Sequence, residues 1–321
     1  AVLRRRHRWR PRHLLRTAVV AVVVVVAAGL LVRPFTTRGG AVPDDWAVVA
    51  CDVGQGDALV LRSGESSAVV VDVGPSGPAA DRCLDDLGVA RVDLLVLSHF
   101  HADHVGGLEE VLAGRDVDRA LVTGTREPAA QAERALGLLE TAGVPVDVAR
   151  PGDAATAGDG ADAVRWEVLQ AGPPVAAGAA RAGATDQPGG AEEEGGANDA
   201  SVVVLAEVRR TQVIALGDLE DAGQEALADE LERRGTGPVD VVKMAHHGSR
   251  TQSPALAEAL SPTVALVSAG ENTYGHPTDH ALDLYRGTGA TVLRTDTCGT
   301  FALVVREGTL AAAGCRDPGQ D

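Results

Sequence analysis

Apolar residues recur along this chain in short runs that are separated by glycine and polar residues. Runs rich in Val, Leu and Ala predict strands, and apolar positions at helical spacing predict helices between them. The predicted strands are Trp46–Asp52, Ala58–Arg62, Ala68–Asp72, Val92–Leu97, Ala120–Val122, Val164–Leu169, Ser201–Glu207, Thr211–Leu216, Val239–Met244, Val264–Ser268, Thr291–Leu293, Thr300–Val305 and Thr309–Ala313. The predicted helices are Ala79–Leu87, Val105–Ala113, Ala129–Ala142, Glu220–Arg233, Pro254–Ala259 and Asp279–Tyr285. Strands in two groups, each followed by helices, predict an α/β domain with two sheets between helical layers.

The N-terminal part of the chain has a different pattern. Thr17–Val32 carries no polar side chain after Thr17, and as a helix it would be about 24 Å long. The hydrocarbon core of a membrane is about 30 Å thick, and the flanking Arg16 and Arg33 can extend to its surfaces. We therefore expect residues 1–38 to be a basic cytoplasmic segment plus a single transmembrane helix at about 14–33. A cleaved signal peptide is the alternative.

This segment sets the expected domain organisation and location. Its arginines should stay in the cytoplasm, which would place a domain over residues 39–321 on the extracytoplasmic side of the cell membrane. Residues 171–197 are mostly Ala, Gly, Pro and Glu, so little in them can be buried. We expect them to form a flexible insertion within that domain.

Charge is distributed unevenly along the chain. The net charge is -16, yet residues 1–38 hold nine Arg and no acidic residue, so the remainder carries a net charge of -25. An acidic domain repels polyanions at long range, which argues against a protein that grips nucleic acid with a broad basic face. An anionic substrate would need local positive charge, and metal ions are the obvious source.

The four cysteines are Cys51, Cys83, Cys298 and Cys315, and no two of them form a CxxC pair typical of a structural zinc site. A hairpin that turns at Glu307-Gly308 would place Cys298 nearly opposite Cys315. This favours a disulfide between them and leaves Cys51 to pair with Cys83. Four buried thiols in a reducing compartment are the alternative.

The strongest chemical signal is the segment 98–107, which follows an apolar strand. His99 and His101 can face one point, while Asp103 and His104, on the first helical turn, can face a second. Imidazole and carboxylate ligands suit Zn, Mn or Fe, and two such ions side by side form a common hydrolytic centre. A solvated polar loop is the alternative.

This spacing resembles the HxHxDH motif of the metallo-β-lactamase superfamily, and other segments agree in order along the chain. The resemblance implies an αββα sandwich in which Asp72 orients the metal loop, Asp218 bridges two metal ions and His247 completes the second site. Asp72 as a turn residue, Asp218 as a helix cap and His246-His247 as surface residues are the alternatives.

A narrower resemblance is to the ComEC type of this superfamily, over about residues 46–306. It rests on the segments 51–58, 198–201, 245–249, 272–277 and 295–296. The ComEC channel takes up DNA, and its C-terminal domain lies outside the membrane. The resemblance therefore implies metal-dependent cleavage of a DNA backbone in natural competence, with single-stranded DNA from a membrane channel, the membrane and other competence proteins as partners. Because the chain begins with Ala, we expect it to be the C-terminal part of such a protein.

One departure from the superfamily is visible in the sequence. No His lies between His104 and His246, so the third imidazole usual for the first metal must be replaced. Asn198 or Asp199, just before a strand, is the expected substitute. An oxygen ligand favours a harder ion, so we expect two divalent ions that are either Mn²⁺ or Zn²⁺.

These residues lead to a hypothesis for the site. His99, His101 and Asp218 would hold the first ion, and the second would be held by Asp103, His104, Asp218 and His247. His246 or His276 would donate a proton to the leaving group, with Asp103 as a further catalytic residue. The turn 54–57, with Asp57 behind the metal ligands, would approach the site closely, with an ordinary hairpin turn as the alternative. A hydrolase of small phosphodiesters or phosphocholine esters, and a non-catalytic metal-binding module, are the alternative functions.

Overall fold

Two mixed β-sheets organise the residues that a computed structural model of this protein describes, 42–172 and 196–315. The first sheet contains β1 (Trp46–Ala50), β2 (Leu59–Arg62), β3 (Ser67–Val71), β4 (Arg91–Leu97), β5 (Asp116–Val117), β6 (Ala120–Val122), β7 (Val146–Val148), β15 (Phe301–Arg306) and β16 (Thr309–Ala313). Its order is β16-β15-β1-β2-β3-β4-β6-β7, with β5 beside β4. The second sheet contains β8 (Ala154–Ala157), β9 (Val164–Gln170), β10 (Val203–Val208), β11 (Thr211–Ala215), β12 (Val241–Lys243), β13 (Val264–Val267) and β14 (Thr291–Arg294), in the order β14-β13-β12-β11-β10-β9-β8.

Most helices of the described residues cover the outer face of one of the two sheets. The helices are α1 (Ala79–Asp86), α2 (Ala102–Val105), α3 (Leu108–Gly114), α4 (Ala129–Thr141), α5 (Asp221–Arg234), α6 (Pro254–Leu260), α7 (Asp279–Gly287) and α8 (Thr295–Cys298). Local signals fix several ends: Ser253 and Thr278 cap the first turns of α6 and α7, and Gly235 ends α5 in the left-handed conformation.

The core has three apolar layers, because neighbouring strand residues point to opposite faces. Val48 and Leu94 lie in the layer between the sheets, while Val49 and Leu95 lie in the layer under α1–α4. Ile214 belongs to a third layer, under α5–α7. The predicted αββα sandwich is therefore confirmed.

Parallel pairing places the chemistry at one edge of the sandwich. β3 runs parallel to β4, and β11, β12 and β13 run parallel to one another. The residues that follow these strands are therefore brought together at the carboxyl ends, where α/β sheets commonly bind ligands.

Some predicted boundaries were wrong. The predicted helix Val105–Ala113 is two helices, since α2 begins at Ala102 and a break at Gly106-Gly107 precedes α3. β7 and β8 were missed because they are edge strands of only three and four residues, and most of these residues are exposed.

Both predicted disulfides are present: Cys51 pairs with Cys83, and Cys298 with Cys315. The hairpin of β15 and β16 turns at Glu307-Gly308, where both residues have positive φ angles. The first disulfide joins the end of β1 to α1, and the second joins α8 to the residue two places after β16.

The predicted basic segment 1–38, with its transmembrane helix at about 14–33, lies outside the described residues. Between residues 42 and 315, wherever the chain is described, no helix is both long and apolar enough to cross a membrane. Most of the predicted insertion 171–197 also lies outside the described residues, but Ala197 at its end is buried.

Candidate metal centre

Asp72 joins the ends of β3 and β4 through its side chain. Oδ1 accepts a hydrogen bond from the Ser98 backbone N–H at 2.7 Å, and Oδ2 accepts one from the Ser98 hydroxyl at 2.7 Å. Oδ2 also lies 2.9 Å from Nδ1 of His104. Asp72 is 1 % exposed and adopts a left-handed backbone, φ 61°. Asp72 therefore holds the side of the His104 ring that carries Nδ1.

Four side chains from the segments that follow β4, β11 and β12 converge beside Asp72. The ligand atoms of Asp103, His104, Asp218 and His247 all lie within 4.8 Å of one another. Oδ2 of Asp218 is 3.2 Å from Nε2 of His104 and 3.4 Å from Nε2 of His247. Nε2 of His247 is also 3.2 Å from Oδ2 of Asp103. The structure thus brings together the four residues predicted for the second metal.

The donor atoms of this cluster fit a metal ion. Nε2 of His104 and Oδ1 of Asp218 are buried without a hydrogen-bond partner. The other ring nitrogens are anchored: Nδ1 of His104 faces Asp72, and Nδ1 of His247 lies 3.0 Å from the Ser268 carbonyl. Histidine ligands commonly use this arrangement, because the anchored nitrogen fixes the ring and leaves the other nitrogen for the metal.

His99 and His101 lie next to this cluster. Nε2 of His99 is 3.0 Å from Nδ1 of His101 and 4.0 Å from Oδ2 of Asp218. Nδ1 of His99 lies 3.0 Å from the Ser98 hydroxyl. The predicted ligands of the first metal therefore adjoin Asp218, but they are more loosely grouped than those of the second.

The two candidate substitutes for the missing imidazole have different surroundings. Asn198 is 4 % exposed, its Oδ1 is buried without a partner, and its Nδ2 donates to Glu220. Oδ1 of Asp199 instead accepts the Glu220 backbone N–H at 3.0 Å, at the start of α5. Asn198 thus has a buried amide oxygen without a partner, while one carboxylate oxygen of Asp199 is used at the start of α5.

The turn that presents Asp218 requires glycine. Gly217 has φ 55°, and a Cβ there would lie 2.7 Å from the Ser201 side chain. The Ser201 hydroxyl in turn accepts the Asp218 backbone N–H at 3.1 Å. The carbonyl of Gly217 accepts the His246 N–H at 3.0 Å, which ties this turn to the histidine pair.

The histidine pair has an unusual backbone. His246 and His247 both adopt left-handed conformations, with φ 45° and 51°. Non-glycine residues held in this region are concentrated at functional sites, since the surrounding structure must impose the conformation. Here the left-handed backbone directs the rings of His246 and His247 to different partners. His246 Nδ1 lies 2.7 Å from Oε1 of Glu220, while His247 joins the cluster.

Asp57 approaches the site from behind. Its Oδ1 lies 3.1 Å from Nδ1 of His247, and its backbone N–H donates to the Asp103 carbonyl at 3.2 Å. A Cβ at Gly56 would lie only 2.3 Å from that same carbonyl. The turn 54–57 therefore makes the predicted close approach.

His276 lies on a rim loop held by Asn272. Oδ1 of Asn272 accepts the backbone N–H groups of Tyr274, Gly275 and His276, and its Nδ2 donates to Gln55. The rings of His276 and His246 have centroids 5.2 Å apart. The two predicted proton donors are therefore neighbours at the mouth of the site.

The electrostatics of the cluster set the protonation of its side chains. Burial acts to lower the pKa values of His104 and His247, but nearby carboxylates, above all Asp218, raise both well above the ordinary value. Burial acts to raise the pKa values of the Asp103 and Asp218 carboxyl groups. The imidazoles of His104 and His247 outweigh burial and lower both pKa values. Burial lowers the pKa of His99 well below the ordinary value. Without metal, His104 and His247 are therefore cationic at neutral pH.

Sequence reasoning missed two charged residues here. Glu220 holds His246, and the buried Lys243 lies against Asp57 with Nζ 2.5 Å from Oδ2. A glutamate at a helix start is ordinary, so nothing marked Glu220. Lys243 carried one signal, since it is the only lysine in the chain.

A fold of two mixed sheets with a His and Asp cluster at the strand ends defines a class of metal-binding protein. The sequence profile of the metallo-beta-lactamase superfamily matches residues 51–270, more than half of the chain. The chain belongs to that superfamily, whose members are generally metal-dependent hydrolases.

Two curated relatives are competence proteins. The chain is 26% identical to ComE operon protein 3 of Bacillus subtilis (strain 168) over 271 residues, which cover 78% of this chain and 32% of that protein. It is 28% identical to competence protein ComA of Neisseria gonorrhoeae over 323 residues, which cover 95% of this chain and 40% of that protein. The resemblance to the ComEC type is confirmed. The chain spans two fifths or less of the length of these relatives.

The chain is also similar to solved structures, and the first of the two below has the same fold. A CmlA β-hydroxylase variant matches with a TM-score of 0.50 and 17% identity, over 80% of this chain and 54% of that chain. The metallo-beta-lactamase fold protein YhfI from Bacillus subtilis matches with a TM-score of 0.48 and 11% identity, over 79% of this chain and 98% of that chain.

Gly56→Ala tests the close approach of the turn to the centre. The added Cβ must displace the Asp103 carbonyl, so we expect affinity for Zn²⁺ or Mn²⁺ to fall about 10–100-fold, as for other changes that move metal ligands. Gly54→Ala is the matched control, because Gly54 also has a positive φ but has nothing within 4 Å of its Cβ position. Competition with a chelating dye measures both, and equal losses in the two variants would contradict the prediction.

The pH dependence of metal binding tests the charge state of His104 and His247. Since His104 and His247 have raised pKa values, an entering ion must displace their protons. We expect apparent affinity to fall as pH falls from 8 to 6, with protons released into the solvent. Calorimetric titration at pH 7 in buffers of different ionisation enthalpy measures the release. A binding enthalpy that is the same in every buffer would contradict it.

Proposed function

We propose that this protein is a metal-dependent phosphodiesterase that cleaves DNA during natural uptake. The observation that carries the proposal is the convergence of Asp103, His104, Asp218 and His247 at one edge of the sandwich, with buried donor atoms left unpartnered. The kinship with two competence proteins supports DNA as the substrate.

Each ligand has an assigned ion in this proposal. His99, His101, Asp218 and Asn198 would hold the first ion, and Asp103, His104, Asp218 and His247 would hold the second. Two ions of Mn²⁺ or Zn²⁺ would supply the positive charge that this acidic domain lacks, activate water and neutralise phosphate oxygens. Asp218 is suited to serve both sets, because its carboxylate lies between His99 and His104.

His246 is the better of the two candidate proton donors. Burial acts to lower its pKa, but the carboxylates of Asp218 and Glu220 outweigh this and raise it. The pKa of His276 is lowered, first by burial and then by the neighbouring imidazoles. At neutral pH His246 can therefore carry the proton that a leaving alkoxide needs. Glu220 holds the ring from Nδ1, which leaves Nε2 on the side of Asp218, 3.8 Å away.

The protein surface bears on how DNA reaches the site. Proteins that bind single strands tightly combine a basic groove with several aromatic platforms. Here the domain is acidic, and within the described residues Tyr274, 76 % exposed beside His276, is the one candidate platform at the rim. We propose that a membrane channel or a neighbouring protein delivers the strand.

The acidic surface also favours a second candidate, a hydrolase of small phosphodiesters. Such substrates need only the metal centre and no extended basic groove. A comparison of hydrolysis of single-stranded DNA with that of a small diester separates the two functions, because only a nuclease would prefer the polymer.

His246→Gln in the full chain tests the proposed acid. We expect cleavage of single-stranded DNA to fall about 10²–10⁴-fold, the usual effect of losing a general acid. A diester with a nitrophenolate leaving group should be affected far less, because that group departs without a proton. Asp218→Ala should abolish both reactions, and the exposed His280→Gln is the matched control.

Two outcomes would contradict this scheme. Equal DNA loss in wild type and Asp218→Ala would assign the nuclease to a contaminant. Equal effects of His246→Gln on both substrates would remove the acid role but leave the metal centre standing.

We propose that the protein is held in the cell membrane by residues 1–38, with the domain on the extracytoplasmic side. The apolar run Thr17–Val32 and its flanking arginines support this. So do the two disulfides, which are typical of oxidising compartments.

Cysteine labelling tests this orientation. All four native cysteines are in disulfides, so Ala255→Cys adds one accessible thiol at an exposed position. We expect a membrane-impermeant maleimide to label it in intact cells, and to label His7→Cys only after lysis. The reverse pattern would overturn the orientation.

A further inference from the structure

Lys243 is a buried cation that the proposed reaction does not use. It is the last residue of β12, it is 2 % exposed, and its Nζ donates to the Met244 carbonyl at 2.8 Å. Its Nζ also lies 2.5 Å from Oδ2 of Asp57. Every other basic residue of the chain except histidine is Arg, so composition alone does not explain a lysine here.

Asp57 links this ammonium to the metal ligands. Its carboxylate is 3 % exposed, with Oδ1 3.1 Å from Nδ1 of His247 and Oδ2 4.0 Å from Nδ1 of His104. Both of those histidines point their other ring nitrogen into the four-residue cluster. Asp72 anchors Nδ1 of His104 and the Ser268 carbonyl anchors Nδ1 of His247, and the Asp57 carboxylate lies beside both anchored atoms. A shift of Asp57 would therefore disturb the surroundings of both rings on the side that faces away from the metal.

Asp57 also belongs to a second compact set of potential ligands. The ligand atoms of Asp57, Asp72 and His104 all lie within 4.8 Å of one another, and all three residues are buried. Two buried carboxylates need a compensating cation. The Lys243 ammonium, which contacts Asp57, supplies that cation for this set.

We propose that Lys243 is a positioning residue of the metal centre, a fixed ammonium that neutralises Asp57 and so holds His104 and His247 with their Nε2 atoms toward the metal. This inference rests on the proposed metal centre and extends it to a residue that touches no ligand atom of that cluster. A lysine suits the position because its ammonium is a compact charge. Arginine, the residue used at every other Lys or Arg position of this chain, carries a larger, planar guanidinium.

The test is Co²⁺ binding to the metal-free full chain, followed by visible absorption and equilibrium titration. Lys243→Met keeps the length of the side chain and removes its charge. We expect about 10–100-fold weaker Co²⁺ binding, typical of losing an outer partner of a ligand, and an altered absorption spectrum because the imidazoles change orientation. Asp57→Asn/Lys243→Met removes both charges and keeps an oxygen for His247, so it should regain most of the wild-type affinity and spectrum.

Arg115→Met is the matched control for loss of a buried cation. The Arg115 guanidinium is buried and pairs with Asp81 and Asp85, away from the metal ligands. We expect it to lower the melting temperature and leave the Co²⁺ spectrum unchanged. The spectrum is a readout that a purely structural role would not move.

The outcomes separate this inference from the proposed metal centre. Failure of the wild type to bind Co²⁺ would overturn the centre itself. Wild-type affinity and spectrum in Lys243→Met would overturn the role of Lys243 alone. If Lys243→Met does not fold, the double variant decides: recovery of the wild-type spectrum supports charge neutralisation of Asp57, and a weak, altered spectrum overturns it.

Discussion

The hydrogen bonds of one carboxylate underlie the rest of the centre. Asp72 receives the backbone N–H and the hydroxyl of Ser98 and faces Nδ1 of His104, so it fastens the end of β3 to the loop after β4. All of these groups are buried, where a missing partner is costly. The loop that carries the histidines is therefore fastened to the sheet by buried hydrogen bonds.

The centre illustrates how a strongly acidic domain can pair clustered carboxylates with cationic groups. Asp57, Asp72, Asp103 and Asp218 are close together, and each faces an imidazole or the Lys243 ammonium. Metal ions and protons can exchange for one another on the ring nitrogens of such a cluster. The fixed ammonium cannot be exchanged in this way, because it is enclosed by protein.

Sequence patterns predicted the parts of this fold that depend on local alternation. Val48 and Val49, or Leu94 and Leu95, point to opposite layers as a period of two requires. The motif at 99–104 was recognisable because its residues are adjacent in the chain. The role of Glu220 was not recognisable from the sequence, because its pairing with His246 arises only when β11 and β12 align in parallel. The edge strand β7 was also beyond reach, because its three residues are all exposed.

The disulfide at the C-terminal hairpin has a consequence for association between molecules. Among the described residues β16 is the outermost strand of the first sheet, and an edge strand can pair with a strand from another chain. Its side chains, mostly alanine, offer little steric or charged protection. The link between Cys298 and Cys315 fastens the chain just past this strand to α8, which limits fraying of the edge and so disfavours intermolecular sheet growth.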